Sequence, residues 1–236
     1  ELEQYILHRL WEVDQTVKKC VQSFNFHLMF TTLLNFCSND LSAFYFDIRK
    51  DVLYCDSKDS HSRKSTRTLL NLIFNFLVRW FAPSLSFTCE EAWKAIGNKE
   101  SIHLEDFLSC NNVYENKTLS DKWNIIKNIR KVCTGAIEKV REDKIIRSSL
   151  EAHLDIYTDD QTLQTLKNIM FNEISITSSF NLHKINDNIQ GFKLEDIKNV
   201  VVQVSKANGH KCQRCWKYET ELLKNEICVR CDKAIN

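Results

Sequence analysis

Four cysteines near the end of the sequence stand in two pairs, Cys212-Gln-Arg-Cys215 and Cys228-Val-Arg-Cys231, with twelve residues between the pairs. Two thiolates three positions apart reach one metal from a single tight turn, and a second such turn completes the tetrahedral S4 set that zinc prefers. A site closed by four protein ligands is structural, so the spacing predicts one structural Zn2+. Arg214 and Trp216 flank Cys215 on the same knuckle, which puts a guanidinium and an indole on one turn. Single-stranded nucleic acid is bound with that pair of groups, one for phosphate or base edges and one for stacking. The competing use of Trp216 is as a small core for the tail, which has few other apolar groups. His210 offers an alternative ligand, but four cysteines already satisfy the metal.

Disulfides are the other use of paired cysteines. The chain carries 10 Cys spread through apolar helical patterns, without a signal-peptide pattern or an apolar run long enough to span a bilayer. A reducing, cytoplasmic setting follows as the expectation, with metal rather than disulfide at the pairs and no membrane partner. Cys20, Cys37, Cys89 and Cys133 fall at core positions, whereas Cys55 and Cys110 carry no signal. Catalysis finds no support. His8, His27, His61, His103, His153 and His183 are scattered without metalloprotease or nucleophile spacing, and with only 4 Gly there is no glycine-rich phosphate cradle. The carboxylate pairs Asp159-Asp160 and Glu90-Glu91 read as helix-start charges.

The elements that must position the tail are mostly helices. With 43% hydrophobic residues over 236 positions the chain can bury a substantial core, and 1 Pro with so few glycines argues against turn-rich sandwiches and barrels. Ile6, Leu10, Val13, Val17, Cys20 and Phe24 share one helix face; Phe26, Phe30, Leu33, Cys37, Leu41, Phe44 and Ile48 continue the rule after a break near Ser23 to Asn25. Leu69, Ile73, Phe76 and Trp80, with Leu70, Leu77 and Phe81 beside them, predict the central helix of a bundle, ended by Pro83. Thr88-Cys-Glu-Glu91 has the form of a capping box opening a short helix that closes at Gly97, and residues 98–120 read as a surface connection.

A basic helix comes next. Ile126, Ile129, Cys133, Ala136 and Val140 line one face, and residues 122–147 hold eight bases against three acids. Lys127, Arg130 and Lys131 are the candidate phosphate contacts on it, with a plain solvated face as the other reading. After Arg147 the period changes to two: Leu150, Ala152, Leu154 and Ile156 predict a half-buried strand, followed by a helix capped at Asp159 or Asp160 and short strands at residues 174–177 and 200–204. The fold class expected is mainly α: a helical bundle over residues 1–120, a basic helix with a small α+β unit over 121–205, and a zinc-ribbon-like tail over 206–236. Seven bases and four acids give that tail +3, and Zn2+ with four thiolates brings it to +1. Bulk attraction for a polyanion is therefore weak there, and local contacts by Arg214 and Trp216 must do the binding.

The motifs as a set resemble the C-terminal part of bacterial isoleucyl-tRNA synthetases. The resemblance is carried by Phe26-His27, Phe36-Cys37-Ser38, the run from Phe44 to Asp51, the run from Leu77 to Pro83 with Leu85 to Thr88, and Ser148-Ser149-Leu150-Glu151-Ala152. The ending Lys211-Cys-Gln-Arg-Cys-Trp216 with Cys228-Val-Arg-Cys231 is the most specific part, since valyl and leucyl relatives share the bundle. The resemblance implies an anticodon-binding bundle, tRNA for isoleucine as partner, Arg214 and Trp216 as RNA contacts, and a monomer. It also implies an ATP-dependent ligase whose catalytic and editing domains are absent here, so ATP would bind only outside this chain. Residues 98–120 and 181–198 match no family motif. Outside the resemblance, a free-standing zinc module for DNA and a helical protein-binding scaffold remain the alternative functions.

Overall fold

The computed structural model describes residues 1–236 apart from Asp187. Two compact units are present, one built from Glu1–Arg49 and Lys58–Lys117, the other from Lys50–Ser57 and Thr118–Asn236.

The first unit is helical, as its periodicities require. Helix α1 (Leu2–Gln22) buries Tyr5, Ile6, Leu10, Val13, Val17 and Cys20 along one stripe. It stops at Ser23, whose backbone N–H bonds Lys19, and Asn25 caps helix α2 (Phe26–Asn35) by accepting from the Leu28 N–H. The second apolar series then runs on without a turn, but a π-helical stretch, Phe36–Phe46, separates α2 from α3 (Asp47–Cys55). Of this series Leu33, Leu41, Phe44 and Ile48 are buried, Phe30 and Cys37 are half-buried and Phe26 is exposed, while Phe36 and Tyr45, outside it, are buried as well. Asp40 is buried within the wide turns and accepts a hydrogen bond from Arg9 at 3.1 Å. Arg49 holds Glu3 through two hydrogen bonds of 2.7 and 3.0 Å, closing α1 onto the start of α3.

Helix α4 (His61–Phe81) carries the series expected of a central helix, since between Leu69 and Phe81 only Asn71 is exposed. Its first half leaves Arg67, Thr68 and Asn71 exposed, and only near its end are consecutive residues, Val78, Arg79 and Trp80, all buried. Pro83 lies just past the last helical turn, as its missing N–H dictates. Two expectations are corrected. Helix α5 (Ser86–Ala95) opens at Leu85, so Thr88 lies inside its first turn and caps nothing. Residues 98–120 are more than a surface connection: they form 3-10 turns at Ile102–Leu104 and Asn112–Tyr114, and Ile102 and Cys110 are buried. The Glu90 carboxylate accepts from the Ser101 hydroxyl at 2.8 Å and the Ile102 N–H at 3.0 Å, and Arg79 binds Glu105 at 2.6 Å while lying 4.7 Å from the Trp93 ring. Long-range polar anchoring of this kind leaves no periodic trace in a sequence.

In the second unit, helix α6 (Lys117–Glu142) buries Trp123, Ile126, Ile129, Val132, Cys133, Ala136 and Ile137. Strand β1 (Ala152–Thr158) alternates buried and half-buried positions throughout, one residue pair later than a start at Leu150, which sits in a 3-10 turn. Asp159 accepts from the Thr162 N–H and caps helix α7 (Asp160–Leu166). The strand expected at residues 174–177 is instead helix α8 (Phe171–Ser175), which ends with Ile176 in the left-handed region. A short β-branched run cannot tell a strand from a buried turn of helix, and here Phe171, fully buried, plugs the core. Strand β2 (Ser179–Lys184) takes the edge and pairs parallel to β1; β4 (Ile197–Lys206) pairs antiparallel on the other side, with β3 (Phe192–Leu194) beyond it, giving the order β2-β1-β4-β3. Helices α7 and α8 are the crossover that a parallel pair needs.

Phe192 of β3 seats its ring on Gly135 of α6, where an added Cβ would stand 2.7 Å from the ring. Gly135→Val is expected to lower stability by about 1–3 kcal/mol despite the better helix propensity, read as a lower urea midpoint with unchanged slope.

Candidate metal centre and nucleic-acid interface

The tail is assembled from two knuckles. Strands β5 (His210–Lys211) and β6 (Tyr218–Glu219) form a small hairpin that brings the chain into and out of the first one. Gly209 enters it with φ +100°, where a Cβ would lie 2.2 Å from the Glu219 carbonyl oxygen, so only glycine fits. The Cys212 N–H bonds the Lys217 carbonyl and the Trp216 N–H bonds the Cys212 carbonyl, both at 2.9 Å, which closes the knuckle around Cys212 and Cys215. In the second knuckle Glu226, at φ +58°, turns the chain, and Cys228 begins helix α9 (Val229–Ile235) with Cys231 one turn on. A hydrogen bond from the Gln213 N–H to the Glu226 carbonyl at 3.0 Å ties the knuckles together.

All four sulfurs converge. They lie within 4.8 Å of one another, every one on a buried residue, and Cys215 Sγ is 3.9 Å from Cys228 Sγ. A tetrahedral S4 site with bonds of about 2.3 Å has edges of about 3.8 Å. None of the 10 cysteines is joined to another in this structure. Burial pushes the Cys212 thiol up, but N–H groups of Cys215, Cys228 and Arg214 outweigh it and hold the pKa at about 6. Cys215 goes the other way, raised by burial and by the neighbouring cysteines. One thiol thus ionises readily and suppresses its neighbours, and a bound cation is what lets all four ionise together. The cluster could hold one metal ion.

The packing around the sulfurs draws on a distant segment. Cys55, at the end of α3, is buried with the four cysteines and Ile227, and Leu222 packs against them. Arg214 donates through Nη1 to the Cys55 carbonyl at 2.5 Å and through Nη2 to the Tyr54 carbonyl at 3.1 Å, covering the C-terminal end of α3 where carbonyls lack helical partners. Asp51, one turn earlier, accepts two hydrogen bonds from Arg230, at 2.6 and 2.7 Å, and one ion pair from Lys217 at 3.1 Å. Burial raises the Asp51 carboxyl, yet these cations outweigh it and bring the pKa to about 2.

Trp216 stands outside this packing. Its side chain is 59% exposed, its backbone is left-handed at φ +66°, and the Lys211 ammonium lies 5.2 Å from the ring centroid. The tail's small core is therefore Cys55, Ile227 and Leu222 around the sulfurs, with the indole at the surface. His210 is exposed on β5 and belongs to no ligand group.

The cations of α6 are spread differently. Lys127 and Arg130 are half-buried, and Arg130 donates through Nε to the Ile174 carbonyl at 2.8 Å. Lys131 is exposed and pairs with Asp196 at 2.7 Å. At the C-terminal end of the helix and just beyond it, Glu138, Arg141, Glu142, Lys144, Ile146 and Arg147 line an open concavity of about 640 Å³. Sequence reasoning missed Asp51, Cys55 and Lys211. The first two are joined to the tail only through the fold, but Lys211 was within reach, being one residue before the first cysteine.

An anticodon-binding domain of tRNA ligases matches residues 3–157 of the chain. The chain belongs to that family. Over 92% of its length it is 45% identical to an isoleucine–tRNA ligase of Pelagibacter ubique; over 94% it is 41% identical to one of Bartonella quintana. The match to the Zymomonas mobilis isoleucine–tRNA ligase, at 37% identity, takes in the whole chain and so the four-cysteine tail. The chain spans only about a quarter of these ligases, 23 to 24% of their length. Among the described residues, no helix of this anticodon-binding chain is long and apolar enough to cross a membrane.

Treating the chain with a strong chelator is expected to remove amide protection from residues 207–236 while that of α1 and β1 persists, because few apolar groups hold the tail together. Hydrogen exchange followed by mass spectrometry checks this, and a tail still protected without metal would refute the structural role of the cluster.

Proposed function

We propose that this chain is the anticodon-binding region of an isoleucine–tRNA ligase, that its partner is tRNA for isoleucine, and that Cys212, Cys215, Cys228 and Cys231 hold one structural Zn2+. The observation that carries the proposal is the exposed Trp216 indole on a knuckle built around four buried sulfurs, in a chain 37 to 45% identical to ligases of that name. Soft thiolates in a closed set favour zinc, and when bound the ion supplies folding energy to the tail and no reaction chemistry.

The residues divide the work by exposure. Trp216 offers its ring to an unpaired base, and Lys211, over that ring, meets a phosphate by leaving it. Arg214 is held by the Tyr54 and Cys55 carbonyls, so it reaches RNA by exchanging one of those bonds. Lys131 reaches a phosphate by exchanging Asp196, and Lys127 and Arg130 add positive potential from half-buried positions. In this reading the modules are residues 1–120, 121–205 and 206–236, the chain works in the cytoplasm within a monomer, and the ATP-dependent joining of isoleucine to tRNA resides in the parts of the ligase outside this span. The identities at the family level disfavour a DNA finger or a protein scaffold.

Binding of the metal-loaded chain to transcripts of isoleucine tRNA and of an unrelated tRNA across a salt series tests the proposal. The expected result is tighter binding of the isoleucine transcript, with log K falling linearly in log salt, and a loss of about 1–3 kcal/mol in Trp216→Ala with metal content unchanged. Equal affinity for both transcripts at every salt concentration, or none for either, would reject it.

A further inference from the structure

Asp51 touches both knuckles of the cysteine cluster at once. Lys217, two residues past Cys215 and next to Trp216, pairs with it at 3.1 Å; Arg230, between Cys228 and Cys231, grips it through both guanidinium nitrogens at 2.6 and 2.7 Å. The carboxylate side chain is 23% exposed and the Lys217 side chain 11%, so water competes weakly for these contacts. Asp56 adds a second, longer contact to Arg230 at 3.4 Å. A two-pronged guanidinium fixes direction as well as distance, since its planar fork matches the two carboxylate oxygens. With Lys217 anchored, the backbone at Trp216 has one neighbour fixed by Asp51 and the other, Cys215, fixed by the sulfur cluster.

We propose that Asp51 is a positioning residue for nucleic-acid recognition: by clamping Lys217 and Arg230 it sets the direction in which the Trp216 indole is presented, and it contacts no RNA itself. This rests on the reading of Trp216 as a base-stacking residue. The clamp is distinct from the metal site, which supplies the closure of the knuckles but not their orientation against α3.

The test is a double-mutant cycle on the metal-loaded full chain with an isoleucine tRNA transcript as the probe. Asp51→Asn is expected to weaken binding about tenfold while one metal per chain is retained, and Asp51→Glu to recover most of the loss. Added to Trp216→Ala, Asp51→Asn is expected to cost less than a further twofold, because its effect runs through the indole. A further tenfold loss in that background would show an independent or general structural role and overturn the inference. Amide exchange over residues 212–218, measured without RNA, separates the two readings: if the wild-type chain binds no transcript, the base-stacking reading fails, and faster exchange in Asp51→Asn then still supports the clamp, whereas unchanged exchange overturns it.

Discussion

Four sulfur atoms inside 4.8 Å impose a condition on everything near them. Thiolates so close repel one another, so without a cation most must keep their protons, and the opposite directions in which Cys212 and Cys215 are pushed express that conflict. Residues 207–236 contain little else that could fold them: Ile227 and Leu222 with the borrowed Cys55 make a core too small to repay the ordering of some thirty residues. The backbone meets the condition with N–H groups aimed at sulfur, such as Cys228 N–H to Cys212 Sγ at 3.3 Å, and with cations placed close by. Arg214 and Arg230 serve in this way without being ligands.

Those two arginines also explain why the tail is tied to α3 rather than left as a pendant finger. Each lies inside a Cys-x-x-Cys pair, at a position whose side chain must leave the metal, and each ends on α3, Arg214 on terminal carbonyls and Arg230 on Asp51. Charge is thereby recycled: the positive groups that temper the thiolates also occupy a helix end, where cations are favoured. The same helix begins with residues of the first unit and finishes with residues of the second. Its last residues, Tyr54 and Cys55, are held by contacts 160 and 159 residues away in sequence.

Periodic burial and local ligand spacing were legible in the sequence; contacts between distant segments were not. Helix α1, the alternation of β1, the Asp159 cap and the cysteine set all follow from rules that act over a few residues. The misreadings share a cause. Thr88 to Glu91 satisfies the capping pattern, but Glu90 is spent on Ser101 and Ile102 and the helix begins a turn earlier. Residues 174–177 have strand-like composition, yet Phe171 needed burial and a helical turn delivers it. For the candidate site, the four sulfurs converge as their spacing predicts, while the engagement of Arg214, Arg130 and Lys131 with protein partners depended on carbonyls and carboxylates whose proximity only the fold creates.

Trp216 occupies a backbone conformation that costs a bulky side chain energy and would cost glycine none, φ +66° in the knuckle. The proposed stacking role therefore puts two opposed demands on the position, since the most comfortable occupant for the turn is one that offers nothing to a base. A chain released from binding RNA would be expected to drift toward glycine or asparagine at 216 and gain stability in doing so. Under the proposed stacking role, the indole is displayed outward at the expense of the conformation that displays it.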